Sequence, residues 1–241
     1  MKKVWLCLLL IGITEVLSAQ RIIEKSFKVT KDQPVLLKFD FPSVKISTWD
    51  KEEVYVKATV DINDNKQNGR FGLLDSTVDG QLTISDTIDF KHIEPEYYVE
   101  VDGEKKHFGS KEDFENYKSA HKAEKISSYS TNKTEIQIEV TVPVKDYIKL
   151  RSKFGLVEVE NYTGPLTVET EFGKISAKLK ASNVGKIKLT NHFGKIYSDF
   201  NMKPTEKEDR NFYTSLTASP GNGPYYDLSS KFGNIYLRNV K

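Results

Sequence analysis

The acidic residues best suited to chemistry come in pairs. Glu158 and Glu160, and Glu169 and Glu171, stand two apart in stretches that alternate apolar with polar residues, so each pair shares one face of a strand. Stacked strands carrying such pairs could set two carboxylates at a spacing fit for acid–base hydrolysis of a sugar linkage, or could offer oxygens to calcium. Lys149, Lys153, Lys174, Lys178 and Lys188 are interleaved with these acids. That mixture neutralises a solvated face and limits the pKa shifts that catalysis needs, so an exposed, ion-paired surface is expected. The four histidines, His92, His107, His121 and His192, show no metal-ligand spacing. Gly221-Asn222-Gly223 lacks the strand–loop–helix frame of a phosphate cradle, and no Gly-x-Ser-x-Gly is present. The expectation is a protein that is not an enzyme, with no catalytic residue, cofactor or metal. Tyr97 and Tyr98 in "EPEYYVE", and Tyr225 and Tyr226 in "GPYYDL", are the candidate binding surface, because exposed tyrosines anchor partners and stack on sugars.

The elements that must position these residues read as strands. "VLLKFDF", "VKIST", "VYVKATVDI" and "TEIQIEVTVP" alternate in the manner of half-buried strands, with breaks at Pro34, Pro42 and "DKEE". One segment stands apart. Between about residues 102 and 133 the chain turns polar and charged, and within it Ser110 precedes Asp113 by three residues, a capping arrangement. Phe114, Tyr117 and His121 follow at helical spacing, which fits either a short amphipathic helix or a charged loop. "SSYSTNKT" and "KPTEKEDRN" read as solvated loops.

From Ile148 to the end, one pattern returns four times. Phe154-Gly155, Phe172-Gly173, Phe193-Gly194 and Phe232-Gly233 are separated by 18, 21 and 39 residues. Six residues before each phenylalanine stand Ile148, Leu166, Ile187 and Tyr226, and four before stand Leu150, Val168, Leu189 and Leu228. Two before stand Ser152, Thr170, Asn191 and Ser230, and three after stand Val157, Ile175, Ile196 and Ile235. The apolar parity changes across Phe-Gly, so the chain must bend there, and glycine suits a bend because it accepts positive φ. Two structures satisfy the pattern: a two-residue hairpin turn, or a corner within stacked coils with the rings piled in an internal ladder. The second is preferred, because burying an aromatic ring is worth about 2–3 kcal/mol and self-similarity at this period marks a solenoid. The 39-residue interval calls for an insertion in one coil.

The ends of the chain bear on compartment. Lys2 and Lys3, an apolar run from Val4 to Ile13, and Leu17-Ser18-Ala19 have the layout of a secretory signal peptide over residues 1–19. The apolar run is well short of the roughly 20 residues that span a bilayer. Cleavage there removes Cys7, the single cysteine, and no disulfide remains for an oxidising compartment. It also removes two lysines and one glutamate, so the net charge falls from +2 to +1, which argues against nucleic acid as a partner. No second long apolar segment follows, so no transmembrane segment is expected after signal removal.

"FPSVKISTWDKEEVYVKATV", followed later by "IEVTVPVKDYIKLRSKFGLVEVENYTGPLTVETEFGKI", resembles the bacterial putative adhesin family of unknown function, also called the toast-rack domain. The likeness covers most of residues 26–62 and 134–241. It implies an all-β, stacked β-helix-like fold and supplies no active-site residues. The sequence departs from that pattern in placing phenylalanine before the glycine and in its charged insertion. Together these readings predict one β-solenoid-like domain over residues 20–241, with a short helical insertion at about 102–133 and repeats over 148–241. The expected role is a non-enzymatic, exported bacterial envelope protein, periplasmic, surface-bound or secreted, presenting a repeat surface to an envelope protein or surface glycan. Homo-oligomers through open sheet edges are a further expectation. The alternatives are a regulatory partner in an envelope-stress pathway, or a polysaccharide-active enzyme on a β-helix.

Overall fold

The computed structural model describes residues 20–122 and 126–240. The signal-peptide reading, with Cys7, lies outside the described residues. In chain order the strands begin with β1 (Arg21–Lys28), β2 (Val35–Phe39), β3 (Ser43–Trp49), β4 (Glu53–Ile62), β5 (Phe71–Val78) and β6 (Gln81–Ile88). Next come β7 (Glu96–Val101), β8 (Glu104–Phe108), helix α1 (Lys111–Ala120) and β9 (Ser127–Thr131). The remainder are β10 (Thr134–Pro143), β11 (Ile148–Ser152), β12 (Val157–Glu160), β13 (Leu166–Thr170), β14 (Ile175–Leu179), β15 (Lys186–His192), β16 (Ile196–Ser198), β17 (Pro204–Arg210), β18 (Tyr213–Ala218), β19 (Tyr225–Ser230) and β20 (Ile235–Asn239).

The architecture is all-β. One sheet runs β1-β4-β10-β3-β12-β14-β20-β16, and a second runs β17-β18-β15-β19-β13-β11-β2-β6-β5. Their alternating apolar residues point inward to one core, in which Leu37, Ile46, Leu150, Val159, Leu166, Ile175, Leu228 and Ile235 are fully buried. Each such side chain contributes on the order of 1.5–3 kcal/mol by leaving water. Both sheets are open and mixed: β1, β4 and β10 pair antiparallel, as do β5 with β6 and β17 with β18.

The centre of both sheets is parallel. Five strand–corner–strand units lie side by side in the same order in each sheet: β2–β3, β11–β12, β13–β14, β19–β20 and β15–β16. They pair without slip. Val35, Ile148, Leu166, Tyr226 and Ile187 form one row, and Leu37, Leu150, Val168, Leu228 and Leu189 the next. The last unit in the chain, β19–β20, is therefore inserted between the third and fourth. The 39-residue interval is explained by the β17–β18 hairpin, which extends the second sheet beyond β15 before the chain returns. The strands flanking each Phe-Gly belong to different sheets, so Phe-Gly is a corner and not a hairpin turn.

Two loop expectations are corrected. "SSYSTNKT" contains β9 and "KPTEKEDRN" contains β17. Both are polar edge strands whose order comes from backbone pairing with β7 and β18, so they carry no apolar alternation to read. The insertion also begins earlier than residue 102, because β7 belongs to it. Its three-stranded sheet β8-β7-β9 and α1 enclose a small separate core of Val99, Phe108 and Phe114. The helix forms as its cap signals: the Ser110 hydroxyl accepts from the Asp113 N–H at 3.1 Å. At the base, buried Asn63 donates to the Glu94 carbonyl at 2.8 Å and accepts from the Lys133 N–H at 2.8 Å, clamping both ends of the insertion.

Candidate binding surface

The corners are built from three successive kinds of residue. Two before each phenylalanine, the buried polar side chain ties the bend together. Thr170 Oγ1 donates to the Gly173 carbonyl at 2.9 Å, and Ser230 Oγ donates to the same carbonyl at 3.1 Å. Asn191 donates to the Gly233 carbonyl at 2.7 Å and accepts from the Gly194 N–H at 2.7 Å. The glycines lie where neighbouring units approach closest. A Cβ on Gly155 would sit 1.7 Å from the Pro42 carbonyl oxygen, and on Gly173 2.0 Å from that of Gly155. On Gly233 it would meet the Gly173 oxygen at 2.0 Å, and on Gly194 the Gly233 oxygen at 2.1 Å. None of the four has positive φ. The reason for glycine is thus corrected: its position requires a missing side chain rather than a left-handed backbone.

The phenylalanines are also corrected. Phe154, Phe172, Phe193 and Phe232 do form a ladder, but it is external, each ring being 42–56 % exposed. Straight alternation would have turned them inward. Instead the strand ends two residues before Phe154, Phe172 and Phe232 and one before Phe193, and the backbone hydrogen bonds from Phe154 N–H to Asp40, Phe172 N–H to Lys153 and Phe232 N–H to Glu171 carry the parallel register around the bend. The rings therefore stack at the strand spacing, outside the core.

The ladder is longer than the four repeats. Phe41 stacks on Phe154 at 5.1 Å, Phe154 on Phe172 at 5.2 Å, Phe172 on Phe232 at 5.0 Å and Phe232 on Phe193 at 5.1 Å. Phe90 meets Phe41 edge-on at 4.7 Å, and Phe212 stacks on Phe193 at 5.5 Å. Phe41 had a legible signal: Val35, Leu37, Phe39 and Val44 stand at the same offsets from it as the apolar and corner residues of the repeats, with Pro42 in place of glycine. Phe90, on a short 3-10 turn, and Phe212, on the β17–β18 turn, had none. Asp86 fixes the first corner by accepting from the Asp40 N–H at 2.8 Å, and burial pushes its carboxyl above the usual range.

The candidate acids do not come together. Glu158 and Glu160 lie on β12 in the first sheet, whereas Glu169 and Glu171 lie on and just beyond β13 in the second. Glu160 is held at 2.5 Å by both Lys45 and Lys178, and hydrogen bonds from Lys178 and then Lys45 lower its pKa. Partial burial opposes ionisation of Glu169, but Lys149 at 2.6 Å and Arg151 at 2.9 Å hold its carboxyl below the usual range. Both shifts run opposite to what a general acid needs. Among the described residues no cluster of three or more histidine or acidic side chains is placed to hold a metal ion.

The four tyrosines separate as well. Tyr226 is corrected from surface to core: it is buried, its hydroxyl donates to the Tyr162 carbonyl at 3.2 Å, and burial pushes its pKa up to about 12. Its alignment with Ile148, Leu166 and Ile187 already carried that signal. Tyr225 next to it is exposed and bonds Asp227 at 3.2 Å. Tyr97 packs on Phe114 inside the insertion, and Tyr98 stacks on Tyr129 beneath Lys105 on that sheet's other face.

No family model matches the chain, and no curated protein does. Among solved structures, the chain is similar to one described as a putative cell adhesion protein from Clostridium sporogenes, at 11% identity and TM-score 0.49, over 92% of this chain and 100% of that one. A putative adhesin from Bacteroides fragilis matches at 10% identity and TM-score 0.23, over 92% of this chain and 99% of that one. A putative lipid binding protein from Parabacteroides distasonis matches at 10% identity and TM-score 0.22, over 91% and 97%. At such identities and scores no partner or residue role carries over. Among the described residues no helix is long and apolar enough to cross a membrane.

Proposed function

We propose that the protein is an exported, non-enzymatic envelope module of adhesin-like type that holds a partner on the outside of its strand stack. Residues 20–241 act as one domain, whose five central units make a short two-sheeted solenoid, and residues 1–19 direct export to the periplasm or beyond. The observation that supports this reading is the phenylalanine ladder. A soluble protein has no structural need to keep seven contiguous rings, six of them stacked, about half in water, and contiguous apolar surface of this kind marks interaction sites. The ion-paired state of Glu160 and Glu169 supports binding over hydrolysis.

The test is sedimentation with washed bacterial envelopes. The protein is expected to pellet with them, and a Phe154→Ser/Phe172→Ser/Phe232→Ser variant with an unchanged melting curve is expected to stay in solution. Equal pelleting of both, or of neither, contradicts the reading. A regulatory role through the insertion has its own support, the separate core clamped by Asn63. Replacing residues 95–132 with a short linker should then abolish capture of a partner while leaving the main melting transition in place, and unchanged capture removes that role.

A further inference from the structure

The ladder's shape and charge narrow the partner. Six steps of 4.7–5.5 Å make a ridge about 30 Å long. At roughly 200 Å² per ring, the exposed fractions leave on the order of 600–700 Å² of apolar surface in one stripe, above the about 300–600 Å² of the largest patch on an ordinary monomer. Within the stack the ring faces are spent on one another, with interplanar angles of 8–21° from Phe41 to Phe193. A sugar or a nucleobase needs an open face, and the interior rings offer edges alone. The ridge is also convex, because it follows the outer bend where one sheet passes into the other. Two copies meeting ridge to ridge would touch along a line and bury little.

Lysines edge the ladder on both sides, unopposed on one side and alternating with acids on the other. Lys153 and Lys231 stand before the rings of their units, and Lys174 and Lys195 stand two residues after theirs, all four exposed. The Nζ of Lys153 lies 5.3 Å from the centroid of Phe154, and that of Lys231 lies 5.2 Å from Phe232, so each ammonium group stands beside its ring while the side chain remains exposed. The opposing charges are Asp89, Asp40 and Glu171, all in the row that holds Lys153 and Lys231, with Glu171 3.8 Å from Lys231; the row of Lys174 and Lys195 holds no acid. At the far end, Phe193 and Phe212 adopt φ of 59° and 61°, where glycine or asparagine would be unstrained. Both rings are nevertheless kept outward, at 56 % and 72 % exposure.

Resting on the reading that the ladder is the binding surface, we propose that it is a membrane-docking ridge: the phenyl edges enter the interfacial layer of an anionic bilayer while the flanking lysines meet its headgroups. A fluid surface accepts a straight convex ridge without a preformed groove, and apolar burial combined with lysine attraction is the physics of interfacial binding.

The experiment is co-sedimentation of the chain from Gln20 onward, which holds every described element of the fold, with two kinds of vesicle. One is equimolar phosphatidylglycerol and phosphatidylcholine, and the other is phosphatidylcholine alone. Binding is expected to the anionic vesicles, weaker by about tenfold or more without phosphatidylglycerol and falling with added salt. The Phe154→Ser/Phe172→Ser/Phe232→Ser variant should lose about tenfold or more, and Lys153→Gln/Lys231→Gln should lose affinity and part of the salt dependence. If the triple variant does not fold, Phe212→Gly, at a backbone geometry that already suits glycine, should still weaken binding about threefold. Absence of binding to anionic vesicles, or binding indifferent to these substitutions, overturns the proposal. If vesicles fail while whole envelopes still bind through the ladder, the partner is an envelope protein or glycan, and the membrane proposal falls with the binding-module reading intact.

Discussion

Phenylalanine and glycine stand side by side at each corner, yet the two rows they form face opposite surroundings. The glycine row is pressed against the carbonyl of the neighbouring unit, with no room for a methyl group. The phenylalanine row hangs outside, stacked but half exposed. The difference teaches that a repeated dipeptide can serve two purposes at once. One residue sets how closely units approach, and the next decides what the assembled stack shows to the outside.

The sharpest way to break this comparison is to fill the inner row. Gly233→Val places a branched side chain where even a Cβ would meet the Gly173 oxygen at 2.0 Å, and it should cost about 3 kcal/mol or more, read as a lowered urea midpoint. Asn191→Ala comes next. It leaves the Gly194 N–H and the Gly233 carbonyl without their buried partner and should cost about 1–3 kcal/mol in the same assay. On the outer row, Phe212→Gly relieves a left-handed φ while giving up one stacking contact, so the melting temperature should stay within the range of about 0.5 kcal/mol typical of surface positions. The smallest effect concerns the outer charges. Glu160 has a lowered folded-state pKa, so its ion pairs contribute fully above its ordinary value of 4.5 and are lost as pH falls through the lower folded value. Wild type should therefore lose more stability than Glu160→Gln as pH falls below that ordinary value, in parallel thermal melts.

Much of the stack was legible in the sequence because parallel pairing without slip keeps equivalent residues in rows. The offsets that align Ile148, Leu166, Ile187 and Tyr226 are the rows of the second sheet. Spatial order was not legible, since nothing in the offsets says that β19–β20 enters between β13–β14 and β15–β16. The outward rings escape the alternation because it holds only while the chain remains a strand, and the strands end at Ser152, Thr170, His192 and Ser230, before each ring. Of the ladder, the sequence held four of seven rings plainly and Phe41 in disguise. Phe90 and Phe212 arrive from outside the repeat and join the ladder through tertiary packing alone. The tyrosines singled out for exposure were a weaker guide, because a strand tyrosine such as Tyr226 serves equally well in a core.

The inside–outside division is tested most directly by equilibrium urea unfolding of Gly173→Ala and Phe172→Ala in parallel. Outward rings and inward glycines predict the larger loss for the added methyl group, about 2–3 kcal/mol, and about 1 kcal/mol for the lost ring. The reverse order, with Phe172→Ala costing the roughly 3–5 kcal/mol of a buried aromatic and Gly173→Ala little, would put the ladder inside and contradict the arrangement described.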